Sequence, residues 1–385
     1  MVDFRDTPEE AAFRSRLRAW LEENNPHLPP SSTSDEYWER QPAWHRALYR
    51  GGFFGLTWPQ EYGGHGLSTV YDVIVDEELA DAGAPPRPSL GYLVQAVLHH
   101  ADEDVKQRFL PGLISGDDRW CQGFSEPDAG SDLASLRTRA VRDGDEYVIT
   151  GHKVWTSYSD LADWCFLLAR TDPEAPIHKG LSVLAVRMDQ PGVEQRPLRM
   201  INGITREFGE VIFDGARALA ANMIGEPGEG WRVAMTVVNH EREPQELGNA
   251  ARYSKTVRQL VELARAKEGH DGLDGSQRDA LAWAIVEAEM LRHLVGRRLS
   301  ERLDGVPNGP EGSVDKLLMT EVEQAVGHAA LAVGGSAHSA HSAQDGADPT
   351  WLSTYLYSRA QSVMGGTAQI QRNLVAARVL GLPSP

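Results

Sequence analysis

The sequence has little cysteine and no long apolar run. Its 385 residues include 2 cysteines, Cys121 and Cys165, which fit a reducing compartment and cannot form a metal site by themselves. No stretch approaches the run of about 18 apolar residues that a membrane-spanning helix needs. The first residues lack both the basic and the apolar region of a secretory signal peptide. We therefore predict a cytoplasmic protein without a membrane span.

Basic residues are also scarce. The 38 Lys and Arg residues stand against 55 Asp and Glu residues, which gives a formal charge of −17. Nucleic-acid-binding proteins present stripes of Lys and Arg to the phosphate backbone, so the charge argues against a nucleic-acid partner. An anionic membrane surface is disfavoured for the same reason. The length predicts roughly two to three domains with a sizeable apolar core.

The pattern of apolar and polar residues changes along the chain. Residues 1–118 show helical patterns, beginning at the capping box Thr7-Pro8-Glu9-Glu10. Residues 119–226 show short strand-like runs separated by Gly, Asp and Pro, which predict an antiparallel barrel or sandwich. Residues 227–385 return to helical spacing. We predict an α+β protein in which a helical, a β and a second helical domain occupy these three ranges.

Three motifs are weak. The glycine-rich segment Gly225–Gly230 contains two carboxylates that would repel a phosphate, so it predicts a turn before a helix. Ser313 precedes Lys316 in an S-x-x-K pattern, but a helix N-cap is the better interpretation. His338 and His341 have no carboxylate or thiol ligand close by in sequence, so a polar loop is favoured and no metal centre is predicted.

Three other segments carry more specific chemistry. One is a tight turn that brings hydroxyl and backbone N–H groups together, and such a cluster suits a phosphate or an electron-rich ring. Another places Trp155 beside two hydroxyls, where an exposed indole offers a stacking surface for a planar ring and a buried one would belong to the core. The segments are Cys121–Leu133, Gly151–Ser157 and Gly366–Leu374, the last followed by Ala377-Arg378-Val379-Leu380-Gly381.

Together and in this order, the segments resemble the acyl-CoA dehydrogenase family of flavoproteins over nearly the whole chain. The resemblance implies a C-terminal domain like a four-helix bundle and FAD as the cofactor. It also implies α,β-dehydrogenation of an acyl-CoA thioester, in which a carboxylate removes the α-proton while the β-hydride passes to the flavin. The residues that it implies for the cofactor site are Phe124, Ser125, Gly130, Ser131, Trp155, Ser157, Thr367 and Gln369.

Within that resemblance each matched residue has an implied role. Ser125 and the segment at Ser131 would contact the flavin and the CoA arm. Trp155 would stack near the isoalloxazine, and Ser157 would hydrogen-bond its reactive nitrogen edge. Thr367 and Gln369 would help to hold the phosphate–adenosine portion of FAD.

The catalytic carboxylate departs from the most familiar family pattern. Many members carry a Glu immediately before the Gly-Thr of the third segment, where this chain has Gly365. A second family solution places the base on the first long C-terminal helix directly before an Arg, and Glu241-Arg242 match it. We expect Glu241 to be the base and Arg242 to orient the site electrostatically. Glu243 lies about 200° further round the helix and is the weaker candidate.

Two further departures bear on cofactor and assembly. The family's Arg-x-x-Phe-Gly element is reduced to the charge of Lys267, and Leu331 replaces the Gln of Gln-x-x-Gly-Gly. Similar losses occur in bacterial steroid-degradation acyl-CoA dehydrogenases, some of which are heteromers with incomplete FAD occupancy. We expect a homodimer, a homotetramer or a heteromer with a paralogous subunit, and electron transfer to an electron-transferring flavoprotein or a similar acceptor. An FAD-poor partner subunit, an acyl-carrier-protein dehydrogenase and another flavin oxidase or monooxygenase remain alternatives.

Overall fold

The computed structural model describes residues 6–241, 245–267, 272–306, 309–335 and 349–383. The chain forms two compact units, one made of Ser34–Leu67 and Arg87–Glu241, the other of Met1–Thr33, Ser68–Pro86 and Arg242–Pro385. We call them the sheet unit and the helical unit. None of the helices in the described ranges has the length and apolar character needed to cross a membrane. The bounds of the three predicted domains stay a prediction.

The sheet unit contains a sheet of 8 strands within the described residues. Its order is β6-β7-β3-β2-β4-β5-β8, and β1 pairs with β4 beside this path. The strands are β1 Trp120–Gly123, β2 Arg139–Asp143, β3 Glu146–Ser157, β4 Trp164–Arg170, β5 Leu181–Arg187, β6 Val193–Pro197, β7 Phe208–Leu219 and β8 Met223–Ile224.

Most neighbouring strands are antiparallel, as predicted, but two pairs are not. Both β1 and β2 run parallel to β4. A parallel pair needs a longer connection than a hairpin turn. The chain supplies that connection because it passes through the β2–β3 hairpin before it reaches β4. Turn spacing in the sequence predicts hairpins and does not reveal such a pairing.

The centre of the sheet is buried on both faces. Five consecutive residues of β4 and six of β5 are buried, so neither strand shows the alternation of a half-exposed strand. Helix α6 (Gly230–Glu241) packs on β4 and β5 and supplies part of that cover. It begins at Gly230, which confirms the turn predicted for the preceding segment. The other helices of this unit are α2 Asp35–Arg50, α4 Gly91–His100 and α5 Glu103–Ser115.

The helical unit packs its long helices around one apolar core. Helix α8 contributes Leu281, Ala284, Ala288, Leu291, Val295 and Leu299, which lie on one face at helical spacing. The sequence spacing predicts a buried face made of Leu281, Ile285, Ala288, Leu291, Val295 and Leu299, and all of these except Ile285 are among the six. The helices are α1 Pro8–Asn24, α3 Thr69–Asp81, α7 Gln245–Ala266, α8 Gly275–Leu303, α9 Gly312–Gly334, α10 Pro349–Ser358 and α11 Ala368–Leu374.

The helix ends agree with the sequence signals at one place and differ at another. The capping box at Thr7 is present, with Glu10 N–H donating to the Thr7 hydroxyl. The prediction that Ser313 caps a helix is wrong. Helix α9 begins at Gly312, with its N-cap at Glu311, two residues before the predicted cap, and Ser313 is buried in its first turn. His338 and His341 lie outside the described residues.

Candidate active site

The tight turn predicted in the segment that follows β1 is present, and backbone hydrogen bonds close it. Glu126 and Ala129 exchange two backbone hydrogen bonds, of 2.9 and 3.1 Å. The Glu126 carboxylate accepts backbone N–H groups from Arg137 at 2.7 Å and Thr138 at 2.8 Å, so it pins the far end of the loop as well. Gly130 and Ser131 remain exposed at the outer edge of the turn. A fixed loop therefore presents Ser131 to solvent.

A buried ion pair fixes this turn against β3. The Lys153 side chain is fully buried, and its Nζ donates to Glu126 Oε1 and to the Phe124 carbonyl, both at 2.9 Å. Burial lowers the pKa of Lys153 to about 8, against the opposing effect of the Glu126 charge. Burial raises the pKa of Glu126, but the Lys153 charge and the hydrogen bonds outweigh it and hold that pKa below its ordinary value. Sequence reasoning missed this pair.

Trp155 is exposed at a bulge in β3. Its side chain is 63% exposed, and its φ of +58° lies in the left-handed region, which is strained for a residue other than glycine. The pairing of β3 with β7 shifts register between Lys153 and Thr156, and this bulge turns the indole outward. The Phe208 ring supports one edge, with centroids 6.3 Å apart. The arrangement leaves an indole face open to a planar ligand.

The first two segments come together at this bulge. Val154 N–H donates to the Ser125 carbonyl at 3.0 Å, so Ser125 lies beside the backbone of Trp155. Phe124 is buried and its ring faces Phe166 at 6.2 Å, which makes it part of the support beneath the turn. Ser157 is half-buried at the end of β3, where it pairs with Phe208. The structure thus brings Ser125, Trp155 and Ser157 together at this bulge, with Phe124 beneath the turn.

The third segment belongs to the helical unit and forms a left-handed turn. Gly365 and Gly366 have φ of +64° and +93°, conformations that glycine adopts without strain. Thr367 caps α11 and accepts from Ile370 N–H at 3.3 Å, while Gln369 is exposed. Sequence reasoning missed Gln371, which is fully buried and donates its Nε2 to the Gly365 carbonyl at 3.1 Å. The buried amide of Gln371 thus holds the backbone of this turn by a hydrogen bond.

An ammonium group lies beside Gly365. A Cβ placed on Gly365 would lie 3.7 Å from Lys316 Cε and 4.0 Å from its Nζ. Lys316 Nζ donates to the Gln361 carbonyl at 2.9 Å, which keeps it there. The position that carries the base in many relatives is therefore occupied here by a glycine with a cation at its side.

Glu241 ends helix α6 and is partly buried. Helix α6 packs against α4, and the His100 ring contacts the Thr236 hydroxyl at 2.7 Å. Tyr92, at the start of α4, is buried, and its pKa is raised first by burial and then by the negative charge of Glu241. The tyrosine hydroxyl near Glu241 thus stays protonated at neutral pH. Arg242 and Glu243 lie outside the described residues.

The residues of both segments fit a flavin dinucleotide. The sheet unit offers an uncovered indole with hydroxyls at its side, which suits a planar heteroaromatic ring. In the helical unit, Gln371 Oε1 is buried and has no hydrogen-bond donor among the described residues, so it can accept one from a ligand. Lys267, by contrast, donates to the Val333 carbonyl at 2.6 Å and so caps α9.

Three family models match the sequence. They are the acyl-CoA dehydrogenase N-terminal domain over residues 7–117, the middle domain over residues 121–216 and the C-terminal domain over residues 228–380. The chain is 40% identical over 383 residues to acyl-CoA dehydrogenase IpdE1 of Mycobacterium tuberculosis, with 96% of this chain and 97% of that protein covered. The protein of the same name from Mycolicibacterium smegmatis is 38% identical, with 97% and 98% covered.

Solved structures agree in fold. A structure described as the Tcur3481-Tcur3483 steroid ACAD superposes with a TM-score of 0.86 at 30% identity and covers 100% of both chains. The ChsE4-ChsE5 complex from Mycobacterium tuberculosis gives a TM-score of 0.84 at 29% identity, again with 100% of both chains covered. With three matching domain models and relatives of this identity along its full length, the chain belongs to the acyl-CoA dehydrogenase family of oxidoreductases.

Proposed function

We propose that this protein catalyses FAD-dependent α,β-dehydrogenation of an acyl-CoA thioester, with Glu241 as the base. The observation that carries this proposal is the difference between Gly365 and Glu241, the two positions at which members of the family carry their base. Gly365 has no side chain and a lysine ammonium beside it, whereas Glu241 offers a carboxylate next to a buried tyrosine. Of these two positions, Glu241 is the one whose side chain can accept a proton.

In each unit, taken by itself, we assign side chains to cofactor or substrate binding. Trp155 supports the flavin ring, Ser157 hydrogen-bonds its edge, and the turn of Phe124, Ser125, Gly130 and Ser131 faces the flavin and the CoA arm. Thr367 and Gln369 hold the phosphate–adenosine portion, and Gln371 joins them through its buried amide oxygen. When bound, FAD supplies the acceptor for the hydride that leaves the β-carbon.

Proton removal falls to Glu241 because the α-proton of a thioester is a weak acid. A carboxylate abstracts such a proton well when it sits away from water and close to the carbon. The Tyr92 hydroxyl stays protonated and uncharged, so it does not compete for the proton. Arg242 orients the site electrostatically.

The acyl group that we propose is bulky: branched or polycyclic. The absence of a side chain at Gly365 leaves room near the reacting carbons. One structural neighbour supports the same choice, since it is described as a steroid ACAD. Turnover should therefore be higher with a steroid side-chain acyl-CoA or a 2-methyl acyl-CoA than with butyryl-CoA. A preference for the short straight chain would contradict this part of the proposal.

We propose further that the protein works as an oligomer, either of identical chains or with a paralogous subunit, in the cytoplasm. Both structures quoted above are named as complexes of two different proteins, which supports the heteromeric form. Its electrons would pass to an electron-transferring flavoprotein or a similar acceptor. Absorbance of the purified chain at flavin wavelengths, before and after addition of candidate partners, tests whether this chain holds FAD alone.

The decisive test replaces the base without disturbing the fold. In Glu241→Gln we expect a loss of turnover of about 10²- to 10⁴-fold, because general-base catalysis contributes that much. Flavin absorbance should stay at the wild-type level. Glu243→Gln is the matched control and should keep turnover within about two-fold, because we assign no catalytic role to Glu243. Near-normal turnover of Glu241→Gln would refute the assignment of the base.

A further inference from the structure

Helix α4 carries a buried tyrosine whose hydroxyl is not used by the protein itself. Tyr92 is 9% exposed, and its hydroxyl has no hydrogen-bond partner among the described residues. The hydroxyl of a buried tyrosine usually finds a partner, because a polar group that leaves water without one destabilises the fold. The Tyr92 hydroxyl is therefore available to a ligand.

Tyr92 lies on the face of α4 that packs against α6. His99 follows it on the same helix after about two turns, so the two side chains point to the same side. The His99 ring lies 5.7 Å from the ring of His240 on α6, and His240 immediately precedes Glu241. The charge of Glu241 raises the pKa of Tyr92, after the larger effect of burial. The available hydroxyl thus lies on the side of the proposed base.

A second tyrosine follows the end of β3. Tyr158 has a φ of +60°, in the left-handed region that a bulky residue rarely adopts. Its N–H donates to the Glu207 carbonyl at 2.9 Å, and its ring packs on the Trp38 indole with centroids 5.2 Å apart. Its hydroxyl also lacks a hydrogen-bond partner within the described ranges. Strain of this kind persists at binding sites, where the surrounding structure holds a side chain in one position.

The two phenols lie within electrostatic reach of each other. Burial raises the pKa of Tyr158, and the next effects come from Tyr92 and from the Glu207 carboxylate. Both hydroxyls are therefore protonated and uncharged at neutral pH. The carboxylates of Glu207 and Glu241 near them disfavour an anion, so the group that fits here is neutral. A phenol donates to a ketone oxygen, and it both donates to and accepts from a hydroxyl.

The base and both phenols are parts of one compact unit. Tyr92, Tyr158 and Glu241 come from α4, from the segment after β3 and from the end of α6, and all three belong to the sheet unit. A substrate held for proton removal by Glu241 therefore brings its acyl group to the same unit that offers the two hydroxyls.

We propose that Tyr92 and Tyr158 bind a neutral oxygen, that of a ketone or a hydroxyl group, on the acyl part of the substrate. The inference rests on the proposed function, in which Glu241 removes the α-proton of an acyl-CoA, and it narrows the bulky acyl group to an oxygenated one. A site built to hydrogen-bond an oxygen discriminates against the analogue that lacks it, because the protein hydroxyls then stay without a partner.

Acyl-CoA thioesters that differ only in a ring oxygen test the proposal. The probes are 3-cyclohexylpropanoyl-CoA and its derivatives with a ketone or a hydroxyl on the ring carbon opposite the chain or next to that carbon. In the FAD-loaded wild type, kcat/KM of the best oxygenated probe should exceed that of the parent by about ten-fold or more, the effect of one or two hydrogen bonds. Tyr92→Phe and Tyr158→Phe should each reduce this preference to about three-fold or less and leave kcat/KM of the parent unchanged.

Tyr62→Phe is the matched control. Tyr62 is a buried tyrosine of the same unit, but its hydroxyl already donates to the Glu103 carboxylate, with distances of 3.0 and 3.2 Å to the two oxygens. This variant should lower the thermal unfolding midpoint and keep the wild-type preference for the oxygenated probe. Tyr92→Phe should do the reverse, because it removes a hydroxyl that has no partner in the free protein. A lowered midpoint with an unchanged preference in Tyr92→Phe would assign that hydroxyl to the fold and overturn the proposal.

Two further results would overturn the proposal. One is equal kcat/KM of wild type for the parent and every oxygenated probe. The other is an equal loss of kcat for all probes in Tyr92→Phe and Tyr158→Phe, which would place the hydroxyls on the thioester carbonyl. Failure of the proposed function has a different signature, since no acyl-CoA would then bleach the flavin. Calorimetry with the same probes would in that case measure the preference as a ratio of affinities, and the same variants would support or overturn it.

Discussion

Two glycine-containing turns of this protein, one in each unit, are held in different ways. The turn at Ser125–Ser131 in the sheet unit is held by a buried ion pair, in which Lys153 bridges the Glu126 carboxylate and the Phe124 carbonyl. The turn at Gly365 and Gly366 in the helical unit is held by left-handed glycines and by the amide of Gln371. The first is fixed by charge, the second by backbone conformation.

The two turns also differ in the functional groups that they can offer to a ligand. Because buried side chains do the structural work at the first turn, its serines and the nearby Trp155 remain free to meet a ligand. At the second turn no carboxylate is present, and Lys316 lies beside the vacant position. A family reaction that needs a base must then take it from a helix, which is the role proposed for Glu241.

The largest effect on turnover is expected in a double variant that removes the carboxylate at Glu241 and places one at Gly365. Adding Gly365→Glu to Glu241→Gln should leave the loss of turnover, about a thousand-fold, uncorrected. The new carboxylate would start from a left-handed residue and within reach of the Lys316 ammonium, so an ion pair would hold it. Turnover of the double variant, measured with its flavin absorbance, checks this. Recovery to a tenth of wild type would contradict it.

The charged turn should break when one charge is removed. Lys153→Met leaves Glu126 buried without its cation, and such a change costs about 3–5 kcal/mol of unfolding free energy. Removing both charges in Lys153→Met/Glu126→Gln should cost less than Lys153→Met alone. Urea unfolding midpoints of the two variants measure the difference. The idea of a charge-fixed turn fails if the double variant is the less stable one.

The backbone-fixed turn should be less sensitive. Gln371→Leu removes the donor to the carbonyls of Gly365 and Gly366 and should destabilise by about 1–3 kcal/mol. Gln369→Leu, two residues away and exposed, provides the control and should stay within about 0.5 kcal/mol in the absence of FAD. Chemical unfolding of the FAD-free proteins separates the two. Equal losses would show that the buried amide does not hold the turn.

The smallest change in stability should occur at the exposed indole. Trp155→Ala should alter the unfolding free energy by no more than about 0.5 kcal/mol, since the side chain is 63% exposed. Flavin retained after gel filtration should nevertheless fall, because the stacking surface is gone. A variant that loses stability but keeps its flavin would show that Trp155 serves the fold rather than the cofactor.

Sequence patterns were most informative where the signal is local. The apolar spacing of Leu281, Ala288 and Leu291 identified the buried face of α8, since a helix brings such residues to one side. The same logic was too coarse at Ser313, because the N-cap lies two residues earlier, at Glu311, and this shift places Ser313 in the first turn. The parallel pairing of β1 and β2 with β4 escaped prediction because turn signals describe only adjacent strands.

The features of the candidate site also fall into those that the local sequence predicts and those that only tertiary contacts decide. Family membership, the loss of the carboxylate at Gly365 and the alternative at Glu241 follow from the sequence by itself, because each depends on the identity of residues within a short motif. The ion pair of Lys153 with Glu126 and the ammonium beside Gly365 were decided by the tertiary structure alone. Strand register and helix packing bring these distant residues into contact, and no local pattern encodes which charges will meet.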